Sequence, residues 1–251
     1  MTFPVFFEMG SVSVPAHLVF EILAYFTGFR VYLWMRRKSG DVIGESTRWT
    51  VILAAAIGGA LGSKVLHHMA SPARFAAHWP DPLFVMGGKT IVGGLLGGLI
   101  AVELVKKFYK IERSTGDLFA IPLCVAIAIG RIGCFLTGAA DDTVGDFTTL
   151  PWAVDFGDGF RHPTPLYEIL LLINLALLIR WQKIKGHAEG QLFAIFMLGY
   201  LAFRFTCDFA KPYEIIFGLR GIQWACLFGV LHYTRVLLRY GTKSRKVLSH
   251  D

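Results

Sequence analysis

The chain has 251 residues, of which 54% are hydrophobic and only 17% charged, and its mean hydropathy is +0.53. Soluble domains carry about a quarter charged residues, so this balance excludes an ordinary water-soluble fold and points to the bilayer as solvent. The net charge of +7 does not mark a nucleic-acid binder, because the basic residues collect in short connections beside apolar runs, the pattern of membrane topology.

A helix needs about 20 mostly apolar residues to cross the hydrocarbon layer. In chain order, residues 16–34, 50–69, 90–105, 118–137, 165–181, 191–207 and 221–238 meet that need. The expected fold is therefore an all-α integral membrane protein of about seven transmembrane helices, built as a single domain. No cleavable signal peptide is expected, since the first 16 residues lack a basic stretch and contain Glu8. The third run is short and glycine-rich. Its Gly93, Gly94, Gly97 and Gly98 lie four apart in pairs, the spacing that lets helix backbones approach closely. Cys124, Cys134, Cys207 and Cys226 lie in or at the edge of apolar runs without CxxC spacing, so neither a disulfide framework nor a zinc site is expected. His67, His68 and His78 lack an HxxxH pattern or a carboxylate partner, and no metal site is expected there either.

Lysine and arginine counts set the orientation. Arg36, Arg37, Lys38 and Arg48, then Lys106, Lys107, Lys110 and Arg113, then Arg180, Lys183 and Lys185 fall on one side. The last span's end and tail add Arg235, Arg239, Lys243, Arg245 and Lys246, sixteen in all against five on the other side (Arg74, Lys89, Arg161, Lys211 and Arg220). Basic loops stay in the cytoplasm, which puts the C-terminus inside and the N-terminus outside. The longest outer connection, residues 138–164, reads as short strands and turns (TTLPWAVDFGDG) and is expected to form a small periplasmic head.

Charged side chains inside spans cost a few kcal/mol on insertion scales and usually face an interior cavity. Arg131 lies within GRIGCF near the outer end of the fourth span. Tyr200, Arg204 and Asp208 share one helix face of the sixth, and Arg161-His162-Pro163-Thr164-Pro165-Leu166-Tyr167-Glu168 enters the fifth. All three segments fall at the same depth toward the outer leaflet. Two arginines there suit a phospholipid head group, because guanidinium binds phosphate bidentately and stays ionised. The plainer alternative pairs Arg204 with Asp208 and Arg131 with Glu168 as structural ion pairs. Tyr25, at helical spacing from Glu21, is a candidate for the cavity wall or for packing.

At GRIGCF, at PWAVDF followed by RHPTPLYE, and at Tyr200 with Arg204 four residues later, the sequence resembles the bacterial prolipoprotein diacylglyceryl transferases. The resemblance spans nearly the whole chain. It implies a multi-pass enzyme of the bacterial inner membrane that moves the diacylglyceryl group of phosphatidylglycerol onto the cysteine thiol of a lipoprotein precursor, without metal or organic cofactor. It implies further that Arg131 matches the arginine of the family's GRxGNF motif, Arg204 the late essential arginine and Tyr200 its partner, with Arg161, His162, Tyr167 and Glu168 on the motif that joins head to span. The chain departs from the family where Val92 stands for the histidine of HGG, Cys134 for the asparagine of GRxGNF, and Ala139 for an acidic residue that Asp141 or Asp142 replaces if the register slips. The expected catalytic set is Arg131, Arg204, His162 and Asp142. Tyr25, Cys134, Asp141, Arg161, Tyr167, Glu168 and Tyr200 are the expected substrate contacts, and His162, Asp141 and Asp142 are the candidates for the base. A relative with a different acceptor, or one that binds anionic phospholipid or lipoprotein without turnover, is the alternative reading.

Overall fold

The computed structural model describes residues 2–141, 143–211 and 214–248. A short antiparallel hairpin, β1 (Phe6–Met9) with β2 (Val12–Pro15), precedes the first helix; the apolar runs alone gave no sign of it. The helices follow as α1 (Ala16–Ser39), α2 (Glu45–Ala70), the short α3 (Pro72–His78) and α4 (Pro82–Met86), α5 (Ile91–Phe108) and α6 (Asp117–Thr137). A second hairpin, β3 (Val154–Asp155) with β4 (Phe160–Arg161), leads into α7 (Thr164–Lys185) and α8 (Gln191–Cys207). A third, β5 (Ile215–Ile216) with β6 (Leu219–Arg220), leads into α9 (Gly221–Leu248).

Each of the seven apolar runs is helical. Five of the helices, α1, α2, α6, α7 and α8, are long and apolar enough to cross a membrane, and the protein is a mostly helical, multi-pass membrane protein. Of the other two, α5 is as apolar as the five over most of its length, but Glu103, Lys106 and Lys107 crowd its end, while Gln223, His232, Thr234 and Arg235 make α9 more polar.

α1 packs on α6, α2 on α5, and α6, α7 and α8 pack on one another, with α9 against α8, α5 and α2. The central element is α8: half of its apolar stretch is buried, against 6% for α2. Phe196, Met197, Tyr200 and Leu201 of α8 meet Leu172, Leu175 and Ile179 of α7, Val92 of α5 and Cys226 of α9 in one core. On α2, Leu53, Ile57, Leu61 and Val65 repeat every fourth residue and stay exposed, a stripe suited to lipid, which is as apolar as leucine.

Two devices fix the frame. At one end of the bundle the fully buried Arg48 donates from Nε to Asp41 Oδ2 at 2.8 Å and from Nη1 to the Thr115 carbonyl at 3.1 Å. Its guanidinium lies over Phe119, on which Tyr32 stacks at 4.7 Å. Arg36 Nε reaches the same Asp41 carboxylate at 2.8 Å. Burial alone raises the Asp41 carboxyl, but Arg48 and Arg36 hold it below its usual range. The loop between α1 and α2 is thereby tied to the start of α6.

The second device is backbone contact between α2 and α5. A Cβ on Gly62 would lie 2.5 Å from the Gly93 carbonyl oxygen and 2.7 Å from Gly97 Cα. Gly58 and Gly97 meet as closely. Three of the four glycines expected to carry close packing are on this seam, Gly93 and Gly97 most tightly and Gly98 with an added Cβ 3.1 Å from the Ala55 carbonyl oxygen; Gly94 is looser, with its nearest neighbour, the Gly59 carbonyl oxygen, 3.6 Å from an added Cβ. Gly62→Ala is expected to cost about 1–3 kcal/mol through overpacking, whereas Gly94→Ala is expected to be neutral or to stabilise by up to about 1 kcal/mol. Thermal unfolding of the two variants in detergent separates these outcomes; equal losses would mean that the seam does not set the helix separation.

Candidate functional site: two arginines on one carboxylate

Three helix ends converge at one end of the bundle. Arg131 and Cys134 come from the last two turns of α6, where Gly133 lets α1 approach: a Cβ there would stand 3.1 Å from His17 Cα. Pro165 at the start of α7 suits the first helical turn, which has no use for its missing N–H, and Glu168 follows in the next turn. α8 stacks Tyr200 and Arg204 one turn apart, and the 3-10 turn that continues it adds Asp208.

Glu168 is the hub. Tyr200 donates its hydroxyl to Glu168 Oε1 at 2.7 Å, and Arg204 Nη1 donates to Oε2 at 3.3 Å. Arg131 Nε stands 2.9 Å from Oε1. That N–H is not aimed at the oxygen and makes no hydrogen bond, so the attraction is Coulombic. Arg204 Nη2 contacts Asp208 Oδ1 at 2.7 Å, again without hydrogen-bond alignment at the carboxylate. Arg131 Nη1 also points at Cys134 Sγ, 3.4 Å away. All of these side chains are buried. Buried guanidinium donors without a partner call for an explanation; Arg204 Nε has no hydrogen-bond partner among the described residues.

The pairings of the plainer alternative, Arg204–Asp208 and Arg131–Glu168, are both present, but they are joined into one network because Glu168 serves both arginines. Arg131, Cys134, Glu168, Tyr200 and Arg204 are thus brought together. His162 and Tyr167 form a separate pair beside it: the Tyr167 hydroxyl accepts from Trp152 Nε1 at 2.7 Å and lies 3.2 Å from His162 Nδ1. Arg161 is not brought to the cluster. It is held by Asp158 at 2.8–3.1 Å, by the Gly145 carbonyl at 3.3 Å and by the face of Phe147 at 3.7 Å, and so shapes the β3–β4 hairpin. Arg161 in turn holds the Asp158 carboxyl below its usual range. Tyr25 is 71% exposed on the outer side of α1 and does not line the cluster. Asp142, and the side chain of Asp141, lie outside the described residues. An open depression lined by Phe147, Thr148, Thr149 and Phe160 lies on the hairpin and carries no ionisable group.

One member was overlooked when read as an outer-loop cation. Lys211 is 2% exposed and follows Asp208 at the next i+3 step of the 200–204–208 row. Its backbone N–H donates to the Asp208 carbonyl at 3.2 Å, and the preceding Ala210 carbonyl accepts from Asp146 N–H at 2.7 Å. The turn is therefore clamped between α8 and the segment before the β3–β4 hairpin. The extended helical spacing was the signal for it.

Removing one partner of a buried ion network leaves an uncompensated charge, which costs about 3–5 kcal/mol. Glu168→Ala is expected to destabilise the protein by that amount, and Arg161→Ala, at a partly exposed pair, by about 1 kcal/mol or less. Thermal unfolding in detergent measures both; a Glu168 variant as stable as Arg161→Ala would mean that the carboxylate does not hold the cluster together.

Residues 4–239 match the family model described as prolipoprotein diacylglyceryl transferase. A Bordetella bronchiseptica protein is 34% identical over 218 residues, covering 78% of this chain and 79% of its own length. A Nitratidesulfovibrio vulgaris protein (strain DP4) is 28% identical over 95% of this chain and 94% of its own length. A Vibrio vulnificus protein (strain YJ016) is 29% identical over 87% of this chain and 82% of its own. All three are named phosphatidylglycerol–prolipoprotein diacylglyceryl transferase.

Proposed function

The chain belongs to the prolipoprotein diacylglyceryl transferase family, and on that premise we propose that it moves the diacylglyceryl group of phosphatidylglycerol onto the thiol of a lipoprotein-precursor cysteine. The observation that carries this reading is the pair of buried arginines joined through Glu168. The reaction is a displacement. Sulfur attacks the glycerol carbon that bears the phosphate ester, the C–O bond breaks, and glycerol phosphate leaves with the electron pair. Negative charge grows on the leaving phosphate, where Arg131 and Arg204 supply fixed donors in a water-poor site, the setting in which such donors are worth most. Tyr200 and Glu168 hold the arginines in place, and His162 with Tyr167 borders the site on the side of the β3–β4 hairpin.

In this reading the chain forms seven spans in the bacterial cytoplasmic membrane as one domain. Residues 138–164 form a small periplasmic head, the N-terminus is outside and the C-terminus is cytoplasmic. The sixteen-to-five division of basic residues supports that orientation.

The transfer reading is tested with protein purified in detergent, labelled phosphatidylglycerol and a lipobox peptide, using mass spectrometry for the thioether. Arg131→Ala and Arg204→Ala are each expected to lower turnover at least a hundredfold, the cost of about 3 kcal/mol for one charge-stabilising donor. Val92→Ala trims a core side chain, so it is expected to cost about 1 kcal/mol of stability and to leave turnover within about twofold. Absence of any thioether from the wild type, with phosphatidylglycerol still bound, would replace the transferase with a lipid-binding relative. Head-group binding that survives loss of both arginines would sink both readings.

Orientation has its own test. Reporter fusions following Lys246 are expected to read cytoplasmic and fusions within residues 146–158 external; a cytoplasmic signal from the latter overturns the arrangement.

A further inference from the structure

The transfer needs a group that removes the acceptor proton, because the thiolate and not the thiol is the nucleophile. At the position of the family's HGG histidine, Val92 has no atom that can carry a proton, and it is packed into the main core. His162 is engaged with Tyr167, whose hydroxyl is itself held by Trp152.

We infer that the side-chain amine of Lys211 is this proton acceptor, an inference that rests on the transferase reading above. The first support is placement. Lys211 is buried on the turn that closes the arginine cluster, and that turn is pinned on both sides, to Asp208 and to Asp146. The second is its surroundings. Arg131 on α6, Glu168 on α7, and Arg204, Cys207 and Asp208 on α8 and its turn all act on the amine electrostatically. Burial, then Arg204 and Arg131, push the ammonium down to about 7 against the opposing pull of Asp208 and Glu168. Lys211 follows the α8 span, which ends at Ala210, on the side where the head group enters in the proposed orientation. At neutral pH a substantial fraction of it is the uncharged amine beside two permanent cations.

The step balances. The neutral amine takes the S–H proton, the sulfur electron pair forms the S–C bond, and the C–O bond breaks with its pair on glycerol phosphate. The new Lys211 ammonium then returns the proton to the leaving phosphate oxygen. Arginine cannot perform this cycle, because it is not deprotonated in proteins. Lys211→Arg therefore separates a proton-transfer role from a purely cationic one.

The experiment uses the full chain, phosphatidylglycerol vesicles and a lipobox peptide, with kcat/KM followed from about pH 5.5 to about 9.5. Wild-type kcat/KM is expected to rise through an inflection at about 7. Lys211→Met and Lys211→Arg are each expected to lose about a hundredfold or more and to lose the inflection, while binding phosphatidylglycerol within about threefold of wild type. Wild-type activity in Lys211→Arg overturns the inference, as does loss of lipid binding in parallel with rate in Lys211→Met, or an inflection abolished by His162→Gln alone. If one variant does not purify, the other decides, with Lys211→Gln as the neutral replacement of similar length. A wild type that forms no thioether brings down the transferase reading and this inference with it; an active wild type with an active Lys211→Arg brings down this inference alone.

Discussion

The carboxylate of Glu168 is the constraint on which one end of the bundle depends. Two guanidinium groups in an apolar helix bundle are costly to insert, and an unpaired charge in the interior costs several kcal/mol. Glu168 offsets both arginines at once because it enters from α7 while Arg131 enters from α6 and Arg204 from α8. Tyr200 fills one of the remaining lone pairs. The three helices are thereby fixed in rotation as well as in spacing, and α8, which carries two of the four groups, takes the most buried position in the molecule.

Different physics holds the rest. Between α2 and α5 there is no charge at the contact; glycine removes the side chains and the backbones touch, as suits a solvent in which helix association gains little from the hydrophobic effect. At the opposite end Arg48 and Asp41 form the mirror problem, a fully buried arginine satisfied by a loop carboxylate, a carbonyl and an aromatic face. Lys89 Nζ, 2.6 Å from Glu21 Oε1, links the residues before α5 to α1. The charge network fixes α6, α7 and α8, and the glycine seam fixes the α2–α5 pair that flanks them through α9.

Most of the helical frame was legible because a span announces itself by length and apolarity. What the sequence withheld were contacts between distant positions. Arg204 and Asp208 are four apart and could be paired by eye, but Arg204 and Glu168 are separated by 36 positions, and no local pattern reports such a pair. The same holds for Gly58 and Gly62, whose importance lies in Gly93, Gly97 and Ala101 on the facing helix. Arg36 and Arg48 were counted as topological charges, and Arg48 proved to be a buried structural ion. Arg161 looked like part of the site from its neighbours His162 and Tyr167. It points back to Asp158 because a strand places adjacent side chains on opposite faces. Lys211 failed to register for the opposite reason: its row partners are on a helix, but the helix was judged to end before it.

On the proposed reading, a phosphate entering this cluster would face competition, since Glu168 and Asp208 partly neutralise the arginines. A phosphodiester monoanion in the ground state therefore gains little over the carboxylates it must displace or share. As the ester C–O bond lengthens, charge on the leaving oxygen grows, while the carboxylate charges stay constant and the arginine donors are already oriented. The attraction rises only along the reaction coordinate. That is differential stabilisation of the transition state rather than tight substrate binding, the condition under which binding energy accelerates a reaction. A site built only to hold lipid would do better without Glu168; a site built to expel a phosphate is better with it, because the carboxylate keeps the donors preorganised without saturating them.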